Sequence, residues 1–187
     1  MTIADNRMWG RDPPQGYGWT SIALHWASAV AITVLLFGGV SIGGESAARA
    51  IQLHTSVAVT LYFVLWGRIA WRIVCGHPTA AHPTHRVVHG IGVVVHFAIL
   101  SCLAVMLVTG PFMAAAGRIP VSVFGLFEVP PVIAPNPLAF RLLRQIHAVT
   151  AALISGLVTV HVLGVVKHMV FDRDGVFDRI MIAAGRP

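Results

Sequence analysis

Four long apolar runs, separated by short polar interruptions, make up most of this 187-residue chain. They cover approximately residues 21–42, 52–74, 87–109 and 146–170. Each is long enough to cross a bilayer as a helix, which needs about 20 mainly apolar residues. The pattern predicts an all-α membrane protein, a four-transmembrane-helix bundle forming a single membrane domain over residues 1–187. The first run lies behind the polar stretch MTIADNRMWGRDPPQGYGWT and lacks a small-residue cleavage pattern, so it is expected to remain in the mature protein.

Composition agrees: 56% of residues are hydrophobic and 11% charged, against roughly one quarter charged in soluble domains. The formal charge of +6 does not point to nucleic acid, because the basic residues cluster at span ends and form no stripe with interleaved aromatics. They report orientation instead. Of the 13 Lys and Arg, the nine on the side of the termini are Arg7, Arg11, Arg68, Arg72, Arg86, Lys167, Arg173, Arg179 and Arg186, leaving Arg49, Arg118, Arg141 and Arg144 opposite. The excess predicts cytoplasmic termini, and Trp9, Trp19, Trp26, Trp66 and Trp71 fall on that side as an interfacial belt. The outer connection, residues 110–145, contains the apolar, proline-rich FGLFEVPPVIAPNP and is expected to pack on the outer end of the bundle. Cys75 and Cys102 are too few and too far apart for a haem-attachment motif or a thiolate metal site.

The last run carries three imidazoles, His147, His161 and His168. A step of 14 residues returns a helix to within about 40° of its starting direction and a step of seven to within about 20°, so the three share one stripe. The rise from His147 to His161 is about 21 Å. With the termini inside, His25 on the first span lies in the inner leaflet and His54 on the second in the outer leaflet. Depth therefore matches His25 with His161 and His54 with His147. Two bis-imidazole sites at separate depths suit two flat iron porphyrins held edge-on, since imidazole is an axial haem ligand and six-coordinate iron favours electron transfer. Small residues on these helices, among them Gly38, Gly39, Ser56, Ala148, Ser155 and Gly156, leave room for a macrocycle or for close helix contact. A single intramembrane histidine often only bonds between helices. A zinc or copper transport path is the sharper rival, yet such a path wants carboxylates, and Glu45 and Glu128 lie in loops with no Asp or Glu inside a span. His89 and His96 on the third span are expected to contact propionates or to bond between helices, and His77, His82 and His85 to be solvated in the inner loop.

Taken together these residues resemble the bacterial cytochrome b561 family, four-helix di-haem b proteins of the inner membrane that include superoxide oxidases. The resemblance covers roughly residues 18–182. It rests on His25-Trp26, His54, Arg68 with Trp71-Arg72, Phe124-Gly125-Leu126, His147 and His161, and Arg173-Asp174-Gly175 with Arg179 and Met181. It implies two haem b, one bound by His25 and His161 and the other by His54 and His147, in agreement with the depth matching. Family members often place a glutamate after the first histidine of the fourth span, where this chain has Ala148. Span-three histidines vary in the family, so no role carries over to His89.

The resemblance implies an oxidoreductase that takes electrons from superoxide at the periplasmic face and reduces ubiquinone in the lipid. Arg118, Arg141 and Arg144 would steer a small anion to the outer face. His168, near Lys167 at the inner face, would exchange a proton with the quinone, with Ser21 or Ser28 offering a second hydrogen bond. The alternatives are a haem-containing anchor that passes electrons between a dehydrogenase or hydrogenase partner and quinone, and, in a different class, a metal-ion transporter.

Overall fold

The computed structural model describes residues 12–13, 16–42, 47–79 and 86–184. Arg7, Trp9, Arg11, Glu45, His82, His85, Arg186 and the side chain of Arg86 lie outside the described residues. Among the described residues four helices are long and apolar enough to cross a membrane: α1 (Trp19–Val40), α2 (Ala47–Cys75), α3 (Arg86–Ala116) and α4 (Pro137–Lys167), the last continued by a π-helical turn over His168–Asp172. A hairpin joins α3 to α4. Its strands β1 (Val121–Val123) and β2 (Phe127–Val129) pair Val121 with Val129 and Val123 with Phe127, and Phe124 and Gly125 turn between them with positive φ. A single-turn helix, α5 (Asp178–Met181), follows the π turn.

The burial pattern inverts that of a soluble domain. Val30, Phe63, Val94 and Leu163 stand exposed on the helix surfaces, while Ser21, Ser56, Arg68, Arg72 and Thr109 are buried. Apolar surface facing outwards is what lipid accepts, and polar groups kept inside must find partners there.

The chain divides into two compact units, and each long helix contributes a segment to both. The first comprises residues 1–27, 67–100 and 156–187, with Ile22, Ile69, Ile99 and Leu100 in its core. The second comprises residues 28–66 and 101–155, with Ala31, Leu65, Leu103, Leu107 and Ile154 in its core.

In the first unit the approach to α1 is held by Asp12. One carboxylate oxygen accepts Gly18 N–H at 2.9 Å, and the other accepts the Ser21 hydroxyl at 2.8 Å and Arg72 Nη1 at 3.2 Å. Trp71 Nε1–H donates to Ser21 Oγ at 2.7 Å, and the Arg72 guanidinium stacks 5.0 Å from the centre of the Tyr17 ring. Burial pushes the Tyr17 phenol up, only partly opposed by Arg72. The tail returns to the same unit: Trp26 Nε1–H donates to the Ile180 carbonyl, Arg179 to the Thr79 carbonyl and Ala184 N–H to the Tyr17 carbonyl.

The outer connection is shorter than the apolar runs suggest. Helix α3 continues through Pro111 to Ala116, and α4 begins at Pro137, nine residues before the predicted start at 146. Asn136 caps α4 by accepting Ala139 N–H on its side chain at 3.0 Å, with Pro137 at the first helical position, where its missing N–H costs nothing. Gly117 closes the turn after α3 because a Cβ there would lie 2.5 Å from the Phe140 ring. The expectation that this connection packs on the outer end holds for β1 alone. Val123 is buried, and the fully buried Ser56 on α2 has its hydroxyl 2.9 Å from the Ser122 carbonyl while accepting Phe124 N–H at 3.0 Å. Phe124, Leu126, Val132 and Leu138 are exposed.

Candidate functional site

Each unit gathers histidines from different helices. In the second unit His54 of α2 and His147 of α4 face each other with ring centroids 6.5 Å apart. In the first unit His25 of α1 and His161 of α4 lie 6.4 Å apart. Two imidazoles held on opposite sides of one metal at about 2.0–2.1 Å from each nitrogen have centroids roughly 6.3 Å apart. Both pairs reached by depth matching thus have the separation that a shared metal centre needs.

The first unit holds a third candidate. His96 of α3 lies 6.3 Å from His25 and 5.9 Å from His161, so spacing alone does not single out a pair. Hydrogen bonding does. Arg68 Nη2 sits 2.9 Å from His96 Nε2, and a guanidinium can only donate, so this nitrogen spends its lone pair on Arg68. Of the two roles expected of His96, propionate contact and a bond between helices, the bond is present, from α2 to α3. His77 differs from its solvated expectation: it is half-buried, 5.2 Å from the His96 ring and 5.0 Å from Phe97, with Nε2 enclosed and without a partner among the described residues. Burial, and then the charges of Arg72 and Arg68, hold its imidazole down at about 4.

His147 is oriented by a residue that periodicity did not reveal. The Thr109 hydroxyl donates to the Val105 carbonyl at 2.8 Å and lies 2.9 Å from His147 Nδ1. Its one proton is spent on the carbonyl, so it accepts from Nδ1–H and leaves Nε2 of His147 as the free ligand atom. Glycines border both rings of this pair. Cβ atoms built at Gly38 and Gly39 would meet the His54 imidazole at 3.6 and 3.8 Å, and one at Gly110 would meet His147 at 3.5 Å.

Arg68 Nη1, buried beside the histidines of the first unit, lacks a partner among the described residues. A buried donor without an acceptor costs about 1–3 kcal/mol, so such atoms mark where a further group is expected. Imidazole pairs at metal-sharing distance, glycines against their rings and a guanidinium nitrogen without a partner among the described residues fit a haem, whose iron takes nitrogen ligands and whose propionates take a cation.

The remaining predicted residues fall apart by unit. Arg118, in left-handed conformation after α3, and Arg141 and Arg144, on the first turns of α4, are exposed in the second unit. His168 opens the π turn in the first unit, half-buried and 2.7 Å from Asp174. Ser21 is not available to a ligand: it is fully buried and its hydroxyl is engaged by Asp12 and Trp71. Ser28 belongs to the other unit. Arg68, Thr109 and Asp174 contact His96, His147 and His168, contacts that the sequence pattern did not expose.

Residues 16–182 match the family described as prokaryotic cytochrome b561. The chain is also 27% identical over 180 residues to cytochrome b561 homolog 2 of Escherichia coli (strain K12), covering 90% of this chain and 92% of that protein. With four apolar helices and imidazole pairs in place, and with the match running through nearly all of the sequence, the chain belongs to the prokaryotic cytochrome b561 family, whose members transfer electrons through haem b in the membrane.

Proposed function

We propose that this protein carries electrons across the bacterial inner membrane through two haem b groups, oxidising superoxide at the periplasmic face and reducing ubiquinone from the lipid. The observation that carries this reading is the pair of histidine separations, 6.4 Å for His25 with His161 and 6.5 Å for His54 with His147. His25 and His161 would hold one haem iron, and His54 and His147 the other. Bound there, haem b would supply one-electron chemistry.

The residues of the chain supply the rest. Thr109 fixes the tautomer of His147. Arg68 holds His96 away from ligation and keeps a second guanidinium nitrogen for a propionate. Arg118, Arg141 and Arg144 put positive charge on the periplasmic face, which raises the encounter rate of a small anion. His168 lines a pocket at the end of α4 and gives a proton to the quinone oxygen. The termini lie in the cytoplasm, as the distribution of Lys and Arg requires.

The test is an absorption spectrum of the purified protein with a haem count, followed by a superoxide pulse in the presence and absence of ubiquinone. Two haems per chain, rapid haem reduction by the pulse and reoxidation by quinone are expected; a colourless protein, or haem that superoxide does not reduce, refutes the reading. A second reading, an anchor serving a dehydrogenase or hydrogenase partner, draws on the exposed apolar segment bearing Phe124, Leu126 and Val132. It predicts a haem protein that is inert towards superoxide and co-purifies with another subunit.

A further inference from the structure

His168, in the lining of the pocket at the end of α4, meets a carboxylate that an irregularity of the backbone places beside it. The π turn over His168–Asp172 is closed by Arg173 N–H donating to the His168 carbonyl at 2.8 Å, and Arg173 takes left-handed backbone with φ of 50°. A widened last turn followed by a left-handed residue folds the chain back over the helix end, and π turns recur at functional sites. Here the reversal sets Asp174 against the imidazole six residues before it. His168 Nδ1 is 2.7 Å from Asp174 Oδ2, and the other carboxylate oxygen accepts Val176 N–H at 3.2 Å.

The Asp174 side chain is 3% exposed. Burial by itself would raise its carboxyl, but the hydrogen bonds from Val176 N–H and His168, together with the charge of a protonated His168, outweigh burial and hold it below the usual carboxylate range. An ionised carboxylate only accepts, so the proton sits on Nδ1 and Nε2 is the nitrogen left for a ligand. His168 lines a pocket of about 280 Å³ together with Met169, Arg173, Gly175, Phe177 and Asp178. The charged groups around the imidazole are Asp174; Asp172, 3.3 Å from Nδ1 and paired with Lys167; and Arg173 and Asp178 in the pocket wall.

We propose that Asp174 is the positioning residue of the quinone site, holding Nδ1–H of His168 so that Nε2 is the atom that protonates quinone. This rests on the reading of the pocket as the quinone site. A quinone becomes a quinol by taking two electrons and two protons. The electrons come from the oxidation of two superoxide ions to two dioxygen molecules. Each proton leaves His168 Nε2 for a quinone oxygen, the N–H bond breaking as the O–H bond forms, and water reprotonates the imidazole. Asp174 keeps its charge throughout, acting through His168 and not on the substrate.

Asp174→Asn and Asp174→Ser each remove the charge while retaining an acceptor for Val176 N–H, so the reversal is preserved. The full-length, haem-loaded protein is reduced with dithionite and mixed with a short-chain ubiquinone, and haem reoxidation is followed as a function of pH. In both variants the rate is expected to fall about 10- to 100-fold, the usual cost of losing a group that orients an active imidazole. Asp174→Glu should restore the rate. If both charge-free variants keep the original rate while His168→Ala stops turnover, the role of Asp174 is refuted and the quinone site stands. If His168→Ala itself turns over normally, the quinone site is refuted and the role of Asp174 with it.

Discussion

The second unit holds two imidazoles against small residues: the Thr109 hydroxyl accepts from Nδ1–H of His147, and Gly38, Gly39 and Gly110 border the rings. The first unit crowds His25, His77, His96 and His161 into ring contact and sets the buried guanidinium of Arg68 among them. The same ligand chemistry thus sits in two electrostatic settings. A buried positive charge favours the reduced form of a nearby redox centre, since net charge and hydrogen bonding are among the levers on its potential. A haem held beside Arg68 is expected to have its potential raised by that charge.

Removing ligands separates the sites most sharply. His25→Ala or His161→Ala should each lose one haem of two while the His54–His147 centre stays spectroscopically intact, and His54→Ala or His147→Ala should do the reverse, as read by a pyridine haemochrome count. Loss of both haems from one substitution would abolish the distinction. Next in size is Arg68→Ala, which strips His96 Nε2 of its donor and removes the buried charge. It should lower the potential of the first-unit haem alone and destabilise the fold by about 1–3 kcal/mol, measured by redox titration and thermal unfolding. Thr109→Val is the counterpart in the second unit. It should weaken that haem's retention about tenfold, with Thr109→Ser restoring it.

The smallest effect is one of pH. His77 has an imidazole held at about 4 in the fold against about 6.5 in the unfolded chain, so unfolding takes up a proton in the interval between. The stability that comes from keeping His77 neutral is complete above about pH 6.5 and declines as pH falls towards 4, by at most about 3 kcal/mol. This ceiling is reduced by the partial exposure of the ring. His77→Phe should flatten the fall in melting temperature between neutral and mildly acid pH, and an unchanged slope would remove His77 as its source.

The spans and the four paired histidines were legible in the sequence because hydropathy and topology depend on residue type and position alone. Helix ends were not. Arg141 and Arg144 dilute the hydropathy before residue 146, although Asn136-Pro137 carries a start signal that depends on capping. The third apolar run is bounded near residue 109, yet α3 continues through Pro111 to Ala116, a course that neighbouring polar groups make tolerable in membrane helices. The supporting residues stayed hidden for another reason. Arg68, Thr109 and Asp174 matter through which nitrogen of a particular imidazole they engage, and that depends on neighbours brought in by other helices or by a π turn. Asp174-Gly175 does advertise a turn, but nothing in its spelling says which histidine the turn meets.

Ser56 has one proton to give and two carbonyls within reach, Gln52 at 2.7 Å inside its own helix and Ser122 at 2.9 Å on the hairpin. It stands two residues beyond His54 on α2. A tug on the hairpin therefore arrives half a helical turn from the His54 ring, and if that ring holds a haem as proposed, the colour of the protein becomes a gauge of what touches the hairpin.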